Sequence, residues 1–290
     1  MTAVAMRYLS GQQVDAYRRE GYLAVPELID RERMKALRAV TEELVDRSRS
    51  VSRSNELYDL DPRHTAEVPE LRRIKNPADN HALYHWVAFE SPIPDIVAEL
   101  IGPDVKFHHS KLNLKGSHGG APVDWHQDAA FYPHSNDDVL AVGLLLDDAD
   151  AANGAMAVLP GSHFGPVYEH YDGDRFVGSM QAADVGRLDL GRAHLLELPA
   201  GSIHIHHYRL VHGSAPNLSA RPRRLLINSY RAADAIPFTP DSSHSRFYGR
   251  LVRGQEARVA RRQGGEIRMP PDFSTGYTSI YELQTRPQQS

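Results

Sequence analysis

Two amphipathic stretches near the start of the chain predict helices. Ser10 and Gln13 have the spacing of a capping box, so a short helix should begin at Ser10 and end near Gly21. Asp30 can cap a longer helix over 31–48, in which apolar residues recur every three or four positions. The apolar residues of that face are Met34, Leu37, Val40 and Leu44. Both helices are predicted to be scaffold.

Three further segments complete the prediction for the N-terminal part. Residues 22–26 are short and mostly apolar, which predicts a strand. Residues 46–70 are polar with few apolar anchors, which predicts a loop. Residues 92–102 begin after a serine, carry prolines in the first turn and end at glycine, as a helix commonly does.

From residue 105 onward the pattern becomes one of short extended segments. Within 107–115, Lys111, Asn113 and Lys115 alternate with leucines, and a polar face of this kind fits the wet interior of a barrel. Turns containing Gly, Pro, Asn and Asp separate the remaining predicted strands, at 123–131, 140–147, 155–159, 194–199, 202–211 and 223–231. The predicted class is mainly β with flanking helices, as in an antiparallel sandwich or jelly roll.

The 290 residues are expected to form a single domain of three parts. These are a helical part to about 104, a β core over about 105–235 and a C-terminal lid segment over 236–290. Residues 164–193 form a long polar insertion between strands, and loops of that length are commonly functional. We expect 46–70, 164–193 and the C-terminal segment to close a substrate pocket.

The C-terminal segment is rich in arginine. Two interpretations are open: the arginines form the solvated face of a helix, or they contact an anionic group of a substrate. The arginines concerned are Arg246, Arg250, Arg253, Arg258, Arg261, Arg262 and Arg268.

Composition limits the kinds of partner, metal site and cellular location that we expect for this protein. With 41% apolar residues the chain is globular, and its net charge of -4 gives no reason to expect nucleic acid or an anionic membrane as a partner. The chain contains no cysteine, which excludes disulfides and thiolate metal sites. The first residues lack the pattern of a signal peptide, and no run of about 18 apolar residues occurs. We therefore expect a cytoplasmic protein; an oligomer is not indicated.

His126 and Asp128 are separated by one residue in an extended segment, so their side chains point to the same side. Both can therefore reach one metal ion. A second histidine from another strand would complete a set of two histidines and one carboxylate. That set leaves three adjacent positions open, as a non-haem Fe(II) oxygenase requires for a chelating co-substrate and O2. The His-x-Asp pattern alone is weak, since it recurs by chance.

Four ordered motifs surround this pattern. They are Asn153-Gly154-Ala155-Met156, Leu159-Pro160-Gly161-Ser162-His163, His212-Gly213-Ser214-Ala215-Pro216-Asn217 and Arg221-Pro222-Arg223-Arg224. Together with His126-Gln127-Asp128 they resemble the phytanoyl-CoA dioxygenase family of Fe(II)- and 2-oxoglutarate-dependent oxygenases. The resemblance runs from Tyr17 to about Ala235.

The resemblance implies a double-stranded β-helix, a distorted jelly roll of the cupin type. It places His126, Asp128 and His212 on iron, and it implies Fe(II), 2-oxoglutarate and O2 as the reaction's requirements. It places Arg223 against the distal carboxylate of 2-oxoglutarate, with Ser214 helping. A guanidinium suits this role because it binds a carboxylate through two parallel hydrogen bonds.

Several residues compete with or support this assignment. Arg221 and Arg224 are alternatives to Arg223, which is expected on the strand neighbouring that of His212. Strand alternation puts His204 and His206 on the face shared with His212, and we interpret them, with His207, as packing residues around the site. In relatives the strand of Lys111 and Asn113 lies near the co-substrate, which makes both candidates for co-substrate binding.

One departure from the family concerns Gly143 in Val142-Gly143-Leu144. Many members carry a tryptophan at this place, so the glycine is expected to leave space beside the metal pocket. That space would admit a bulkier substrate or another way of packing the co-substrate.

The implied reaction is the oxidation, by default hydroxylation, of an unactivated C–H bond of a small organic molecule, with release of succinate and CO2. Secondary metabolites and acyl compounds are both candidate substrates. Because Asp128 is a carboxylate, we expect no halogenation; desaturation, ring closure and epimerisation stay open. The alternatives to a dioxygenase are a zinc-dependent cupin-like hydrolase or isomerase and a non-catalytic jelly-roll binding module.

Overall fold

The computed structural model of the protein describes residues 8–274 and 279–285. Helices α1 to α7 span Gly11–Glu20, Arg31–Arg47, Pro77–Asn80, Ala82–Phe89, Ile93–Ile101, Ala182–Val185 and Ile280–Thr285. Strands β1 to β14 span Tyr22–Val25, Tyr58–Leu60, Leu71–Lys75, Val105–Lys115, Val123–His126, Val139–Leu145, Met156–Val158, Tyr171–Asp172, Arg175–Phe176, His194–Leu195, Ile203–His207, His212–Ser214, Arg223–Ala232 and Leu251–Arg253. Within the described part, no helix is long and apolar enough to cross a membrane.

The N-terminal helices begin where their capping residues predict. The Ser10 hydroxyl accepts a hydrogen bond from the Gln13 backbone at 3.2 Å, and the Gln13 side chain accepts one from the Ser10 backbone at 2.9 Å. Helix α1 ends at Gly21, whose φ of 79° is in the left-handed region that glycine favours. The Asp30 carboxylate caps α2 by accepting from Arg33 N at 2.9 Å. The predicted helices α1, α2 and α5 and strand β1 are thus present.

Two antiparallel sheets make up the β core. The larger has the order β1-β11-β6-β13-β4-β3-β2, with β14 also paired to β4, and the smaller has the order β10-β7-β12-β5. The prediction of a mainly β fold with flanking helices, of the jelly-roll type, is confirmed.

Alternation along the central strands of the larger sheet separates its two faces. Leu112, Leu144 and Leu226 belong to the main apolar core together with residues of α2, α4 and α5, including Leu37 and Ile96. The alternate residues of the same strands point to the opposite face, where a cavity opens between the sheets. The helices therefore cover one face of the sheet and leave the other to the site.

Some predicted strands differ from those observed. The segment 123–131 is a strand only to His126, after which a 3-10 turn covers Asp128–Ala130. Strands β12 and β13 lie in different sheets, so the expectation that Arg223 lies on the strand next to that of His212 is wrong. The turn between them crosses from one sheet to the other, which a local pattern does not reveal.

The N-terminal part holds elements that the sequence pattern did not predict. These are β2, β3, α3 and α4, and β2 lies within the predicted loop 46–70. Strand β3 carries two arginines and a lysine in five residues, so its hydrophobic signal is weak. It forms because Arg73, Ile74 and Lys75 pair directly with β4, a contact between segments distant in sequence.

The arginines of the C-terminal segment do not form a helical face. In the described residues of 236–274 the regular element is β14, and prolines and glycines interrupt the remainder. Three of them form ion pairs with acids of other segments: Arg253 with Asp95 at 2.5 Å, Arg268 with Glu169 at 3.0 Å, and Arg261 with both Asp138 and Asp234. The interpretation as a solvated helix face is wrong, and these pairs hold the segment against the core.

Candidate metal centre

Three predicted side chains meet at the inner face of the smaller sheet. His126 ends β5, Asp128 begins the following turn and His212 begins β12. Strands β5 and β12 are paired with His126 directly opposite His212, and the two imidazole centroids lie 4.1 Å apart. One candidate ligand atom from each of the three residues lies within 4.8 Å of the others. All three side chains are buried.

Backbone carbonyls fix the orientation of both imidazoles. Nδ1 of His126 donates to the carbonyl oxygen of Asp124 at 2.8 Å, and Nδ1 of His212 donates to that of Leu210 at 2.9 Å. A carbonyl only accepts hydrogen bonds, so Nδ1 carries the proton and Nε2 keeps its lone pair. Burial lowers the pKa of His126 to about 4 and holds the pKa of His212 well below its usual range. Two neutral imidazoles with free Nε2 atoms are what a divalent metal requires.

Asp128 supplies the negative charge of the group. Burial opposes its ionisation, but the positive charge of Lys111 and the imidazoles of His206 and His212 hold its pKa well below the usual range. Nε2 of His206 lies 3.5 Å from a carboxylate oxygen of Asp128. The donor set is therefore two neutral nitrogens and one carboxylate, which fits Fe(II).

The three residues line a cavity of about 1000 Å³ between the two sheets. All seven predicted site residues lie on its wall: His126, Asp128, His212, Lys111, Asn113, Ser214 and Arg223. Residues 54–57, 242–244 and 280–283 contribute to its rim, whereas the described cavity wall contains no residue of 164–193. This departs from the expectation that 164–193 helps to close the pocket. Phe176 from that segment packs behind the wall on Phe131, with ring centroids 5.1 Å apart.

The three clustered arginines have different environments. Arg223 is 5% exposed, lines the cavity and keeps a buried Nε without a hydrogen-bond partner. Arg224 points to the opposite side and binds Asp147 through two nitrogens, at 2.8 and 2.7 Å. Arg221 pairs with Asp150 at the surface. Of these three, Arg223 is the guanidinium that faces the cavity.

Lys111, Asn113 and Ser214 line the same cavity as Arg223. Burial lowers the pKa of Lys111, and the charge of Asp128 opposes this effect. The side-chain oxygen of Asn113 accepts a hydrogen bond from Arg73 Nε at 3.0 Å. Strands β3 and β4 place Lys75 directly opposite Lys111. This wall is consequently rich in positive charge.

Gly143 does not leave the space that its sequence predicted. It pairs directly with His204 of β11, and a Cβ atom at Gly143 would lie 2.3 Å from Nε2 of His204. The imidazole of His204 is 2% exposed and stacks on His206, with centroids 5.7 Å apart. The volume above the glycine is therefore filled by the neighbouring histidine, which explains why a side chain is missing there. His206 contacts His212 from the opposite sheet, with ring centroids 4.5 Å apart, whereas His204 lies behind His206; neither shares the strand face of His212.

Two residues of the site were not recognised from the sequence. The amide of Gln127 donates to the carbonyls of Pro166 and Arg209 at 3.0 and 2.7 Å and accepts from Tyr168 N at 2.8 Å. Tyr281 lines the cavity from the C-terminal helix α7. Alternation indicates that Gln127 points away from His126 and Asp128, but no local pattern indicates its three partners.

The sequence model of the family described as "Phytanoyl-CoA dioxygenase (PhyH)" matches residues 17–225. The chain belongs to this family. It is 32% identical over 276 residues to the "Probable alpha-ketoglutarate-dependent hypophosphite dioxygenase" of Stutzerimonas stutzeri, covering 94% of this chain and 96% of that protein. It is 28% identical over 165 residues to the "L-proline trans-4-hydroxylase" of Streptomyces griseoviridis, covering 50% of this chain and 61% of that protein.

Solved structures agree with this membership at the level of the fold. EctD from S. alaskensis with bound Fe superposes with a TM-score of 0.69 at 20% identity, covering 88% of each chain. The same enzyme with 2-oxoglutarate and 5-hydroxyectoine gives a TM-score of 0.69. This family member is therefore an Fe(II)- and 2-oxoglutarate-dependent dioxygenase, and the predicted family, enzyme class and cofactors are confirmed.

Proposed function

We propose that His126, Asp128 and His212 hold the Fe(II) of this dioxygenase. The observation that carries the proposal is the convergence of one donor atom from each residue within 4.8 Å. The Nδ1 atoms of both histidines are bonded to backbone carbonyls, which leaves Nε2 of each for the metal. The carboxylate of Asp128 reduces the net charge of a bound Fe(II) in a buried place, where an uncompensated ion is costly.

We further propose that Arg223 binds the distal carboxylate of 2-oxoglutarate, with Ser214, Lys111 and Asn113 on the surrounding wall. The buried guanidinium of Arg223 has an unpartnered Nε, and burial lowers its pKa, so an anionic ligand would relieve an unfavourable environment. Ser214 lies two residues beyond His212 and lines the same cavity. The dicarboxylate would thus bridge the metal side and the guanidinium side of the cavity.

Bound iron, O2 and 2-oxoglutarate supply the oxidation: 2-oxoglutarate becomes succinate and CO2, and the second oxygen atom is available to the substrate. The chain's own residues orient the reactants and exclude water. With the Asp128 carboxylate as a metal ligand, the place that a halide needs would be filled, so we propose hydroxylation as the outcome. A substrate held near His126 and His212 would be close to the reacting centre.

We propose a small anion as the substrate. Lys111, Arg73 and Lys75 gather positive charge on the β3–β4 wall of the cavity. The relative from Stutzerimonas stutzeri is named for hypophosphite, a small phosphorus oxyanion, which extends the expected C–H substrates to a P–H bond. A panel of hypophosphite, L-proline and ectoine, read as substrate-stimulated succinate release, tests the charge of the substrate. Stimulation by zwitterionic compounds without stimulation by any anion would contradict this proposal.

The metal assignment is tested by removing each candidate ligand. His126→Ala, Asp128→Ala and His212→Ala should each lower succinate formation at least 100-fold and weaken Fe(II) binding measured calorimetrically without O2. His194→Ala, a change at an exposed histidine, is the matched control and should do neither. Iron binding of normal strength in all three variants would overturn the assignment. Turnover by the zinc-loaded protein without O2 would instead favour the hydrolase or isomerase alternative.

The expected organisation and location extend this proposal. We propose one catalytic unit whose C-terminal segment acts as the lid, supported by the rim residues 242–244 and 280–283. We also propose a cytoplasmic enzyme without a nucleic-acid partner, in keeping with the net charge of -4. Fractionation of the producing cells checks the location.

A further inference from the structure

The C-terminal helix α7 enters the cavity from outside the family match, which ends at residue 225. Its residues Ile280–Leu283 all line the cavity. Gln284 anchors it at two points: its side-chain oxygen accepts from Asp124 N at 3.0 Å, and its amide donates to the Gly178 carbonyl at 2.9 Å. Asp124 lies in β5, two residues before His126, so the helix is bonded to the strand that carries the metal side of the site.

Leu283 packs at the same end of α7 as Gln284. A Cβ atom at Gly178 would lie 3.1 Å from a methyl carbon of Leu283 and 3.1 Å from the ring of Phe131. Phe131 in turn contacts His126, with ring centroids 6.0 Å apart. The glycine therefore permits a close approach of α7 to Phe131, which packs on His126. This contact helps to fix the position of the helix.

Tyr281 lies at the other end of this helix, lines the same cavity as Arg223 and packs near two arginines of β3. It is 2% exposed, and its ring lies 5.8 Å from the Arg72 guanidinium carbon and 5.6 Å from that of Arg73. Burial raises the pKa of Tyr281, while Arg73 and Arg223 act in the opposite direction. The phenol is therefore neutral near pH 7 and has a proton to donate.

A carboxylate accepts more hydrogen bonds than one guanidinium can donate to it. Two oxygens offer about four acceptor positions, and a bidentate arginine fills two of them. In a cavity closed to water the remaining positions need protein donors. Tyr281 is a donor that lines the same cavity as Arg223, and it lies outside the family match.

We propose that the Tyr281 hydroxyl donates a hydrogen bond to the carboxylate of 2-oxoglutarate that Arg223 holds. The inference rests on the proposed role of Arg223. It makes α7 part of the co-substrate site. Gln284 and Leu283 hold the helix in position, and Tyr281 contacts 2-oxoglutarate. Docking of the C-terminal helix on the core and binding of 2-oxoglutarate are then coupled, since each stabilises the other.

Tyr281→Phe tests the contact, because it removes the hydroxyl and keeps the ring. We expect the Kd of 2-oxoglutarate, measured calorimetrically with Fe(II) and without O2, to rise about tenfold, as for the loss of one hydrogen bond to a charged group. The apparent KM for 2-oxoglutarate should rise by the same factor, with kcat nearly unchanged. Tyr58→Phe is the matched control: Tyr58 is also buried, but its hydroxyl donates to the Leu44 carbonyl at 2.9 Å in the helix core. It should lower Tm and leave the Kd unchanged.

Gln284→Ala provides a second test that leaves Tyr281 intact. Without its two bonds the helix should seat less firmly, so the Kd of 2-oxoglutarate should rise by about threefold to tenfold. An unchanged Kd in Tyr281→Phe overturns the inference. If Arg223→Ala abolishes binding of 2-oxoglutarate while Tyr281→Phe leaves the Kd unchanged, the inference about Tyr281 fails and the proposed role of Arg223 stands. If Arg223→Ala binds as well as wild type, the proposed role of Arg223 fails first.

Discussion

Two consecutive arginines on β13 lie in opposite environments. Arg223 points into the cavity and Arg224 points to the outer side, because side chains alternate along a strand. Asp147 neutralises Arg224, while in the described residues no acid forms an ion pair with Arg223. Both carry the same charge, yet only one is oriented and unpaired in the way that a bound dicarboxylate requires.

Arg223→Ala should raise the apparent KM for 2-oxoglutarate at least 100-fold, because a buried bidentate contact to a carboxylate is lost. Arg224→Ala is its matched control; it should lower the free energy of unfolding, through the loss of the Asp147 pair, without changing KM. Steady-state kinetics at saturating substrate distinguish the two. Equal effects of the two variants on KM would contradict the assignment.

Gly143 and His204 constrain each other's size at the residue scale. Gly143→Ala places a methyl group 2.3 Å from His204 Nε2, and an overpacked core site of this kind costs about 1–3 kcal/mol. His204→Ala removes the obstacle. The double variant should therefore be more stable than the sum of the two single changes predicts. A double-mutant cycle by chemical denaturation measures this coupling, and strict additivity would show that the two positions do not interact.

At the scale of elements, the end of β5 positions His126 and Asp128. The strand stops at His126 and turns at Asp128, and Gln127 between them bonds three backbone groups of 166–168 and 209. This amide ties the turn to the two segments that cross behind it. The pairing of β5 with β12 then brings His212 opposite His126.

Gln127→Leu should destabilise the protein by about 2–4 kcal/mol, because it leaves buried backbone groups without partners. It should also weaken Fe(II) binding, since the turn between His126 and Asp128 loses its support. Urea denaturation and metal titration provide the two measurements. Gln12→Leu, at an exposed position of α1, is the control, and comparable losses in both variants would argue against a specific role for Gln127.

At the scale of the whole molecule, the cavity is formed by two sheets and by the C-terminal helix, and it buries many histidines. His108 lines the cavity and His134 packs against it, with ring centroids 5.2 Å apart. Burial lowers the pKa of His134 to about 3 and holds that of His108 well below its usual range. Both are neutral in the folded protein at pH 5, whereas the unfolded chain takes up protons near pH 6.5.

Stability should consequently fall as the pH is lowered from 6.5 toward 3, because protons bind the unfolded chain preferentially. His134 should contribute a slope of about 1.4 kcal/mol per pH unit in this window. Chemical denaturation at pH 7.5, 6 and 5 measures it. His134→Gln should flatten the dependence, and His194→Gln at an exposed position should not; a free energy of unfolding independent of pH would contradict the buried neutral state.

The sequence by itself determined the family, the enzyme class, the capped helices and the residues on the cavity wall. The resemblance of the ordered motifs indicated the family and the enzyme class. The helix caps and the metal-ligand pair depend on local spacing: Ser10 with Gln13, Asp30 before its helix and His126 with Asp128. Alternation and capping act over a few residues, so a single chain carries them in readable form. The seven predicted residues lie together as expected, while their individual roles stay a proposal.

Only the tertiary structure decided which strands became neighbours and what filled the spaces between them. Strand β3 exists through its pairing with β4, β12 and β13 separate into different sheets, and His204 takes the volume above Gly143. Tyr281 reaches the cavity from the far end of the chain. Each of these outcomes depends on contacts between segments distant in sequence, whose closeness is fixed by packing of the whole core and leaves no periodic signal along the chain.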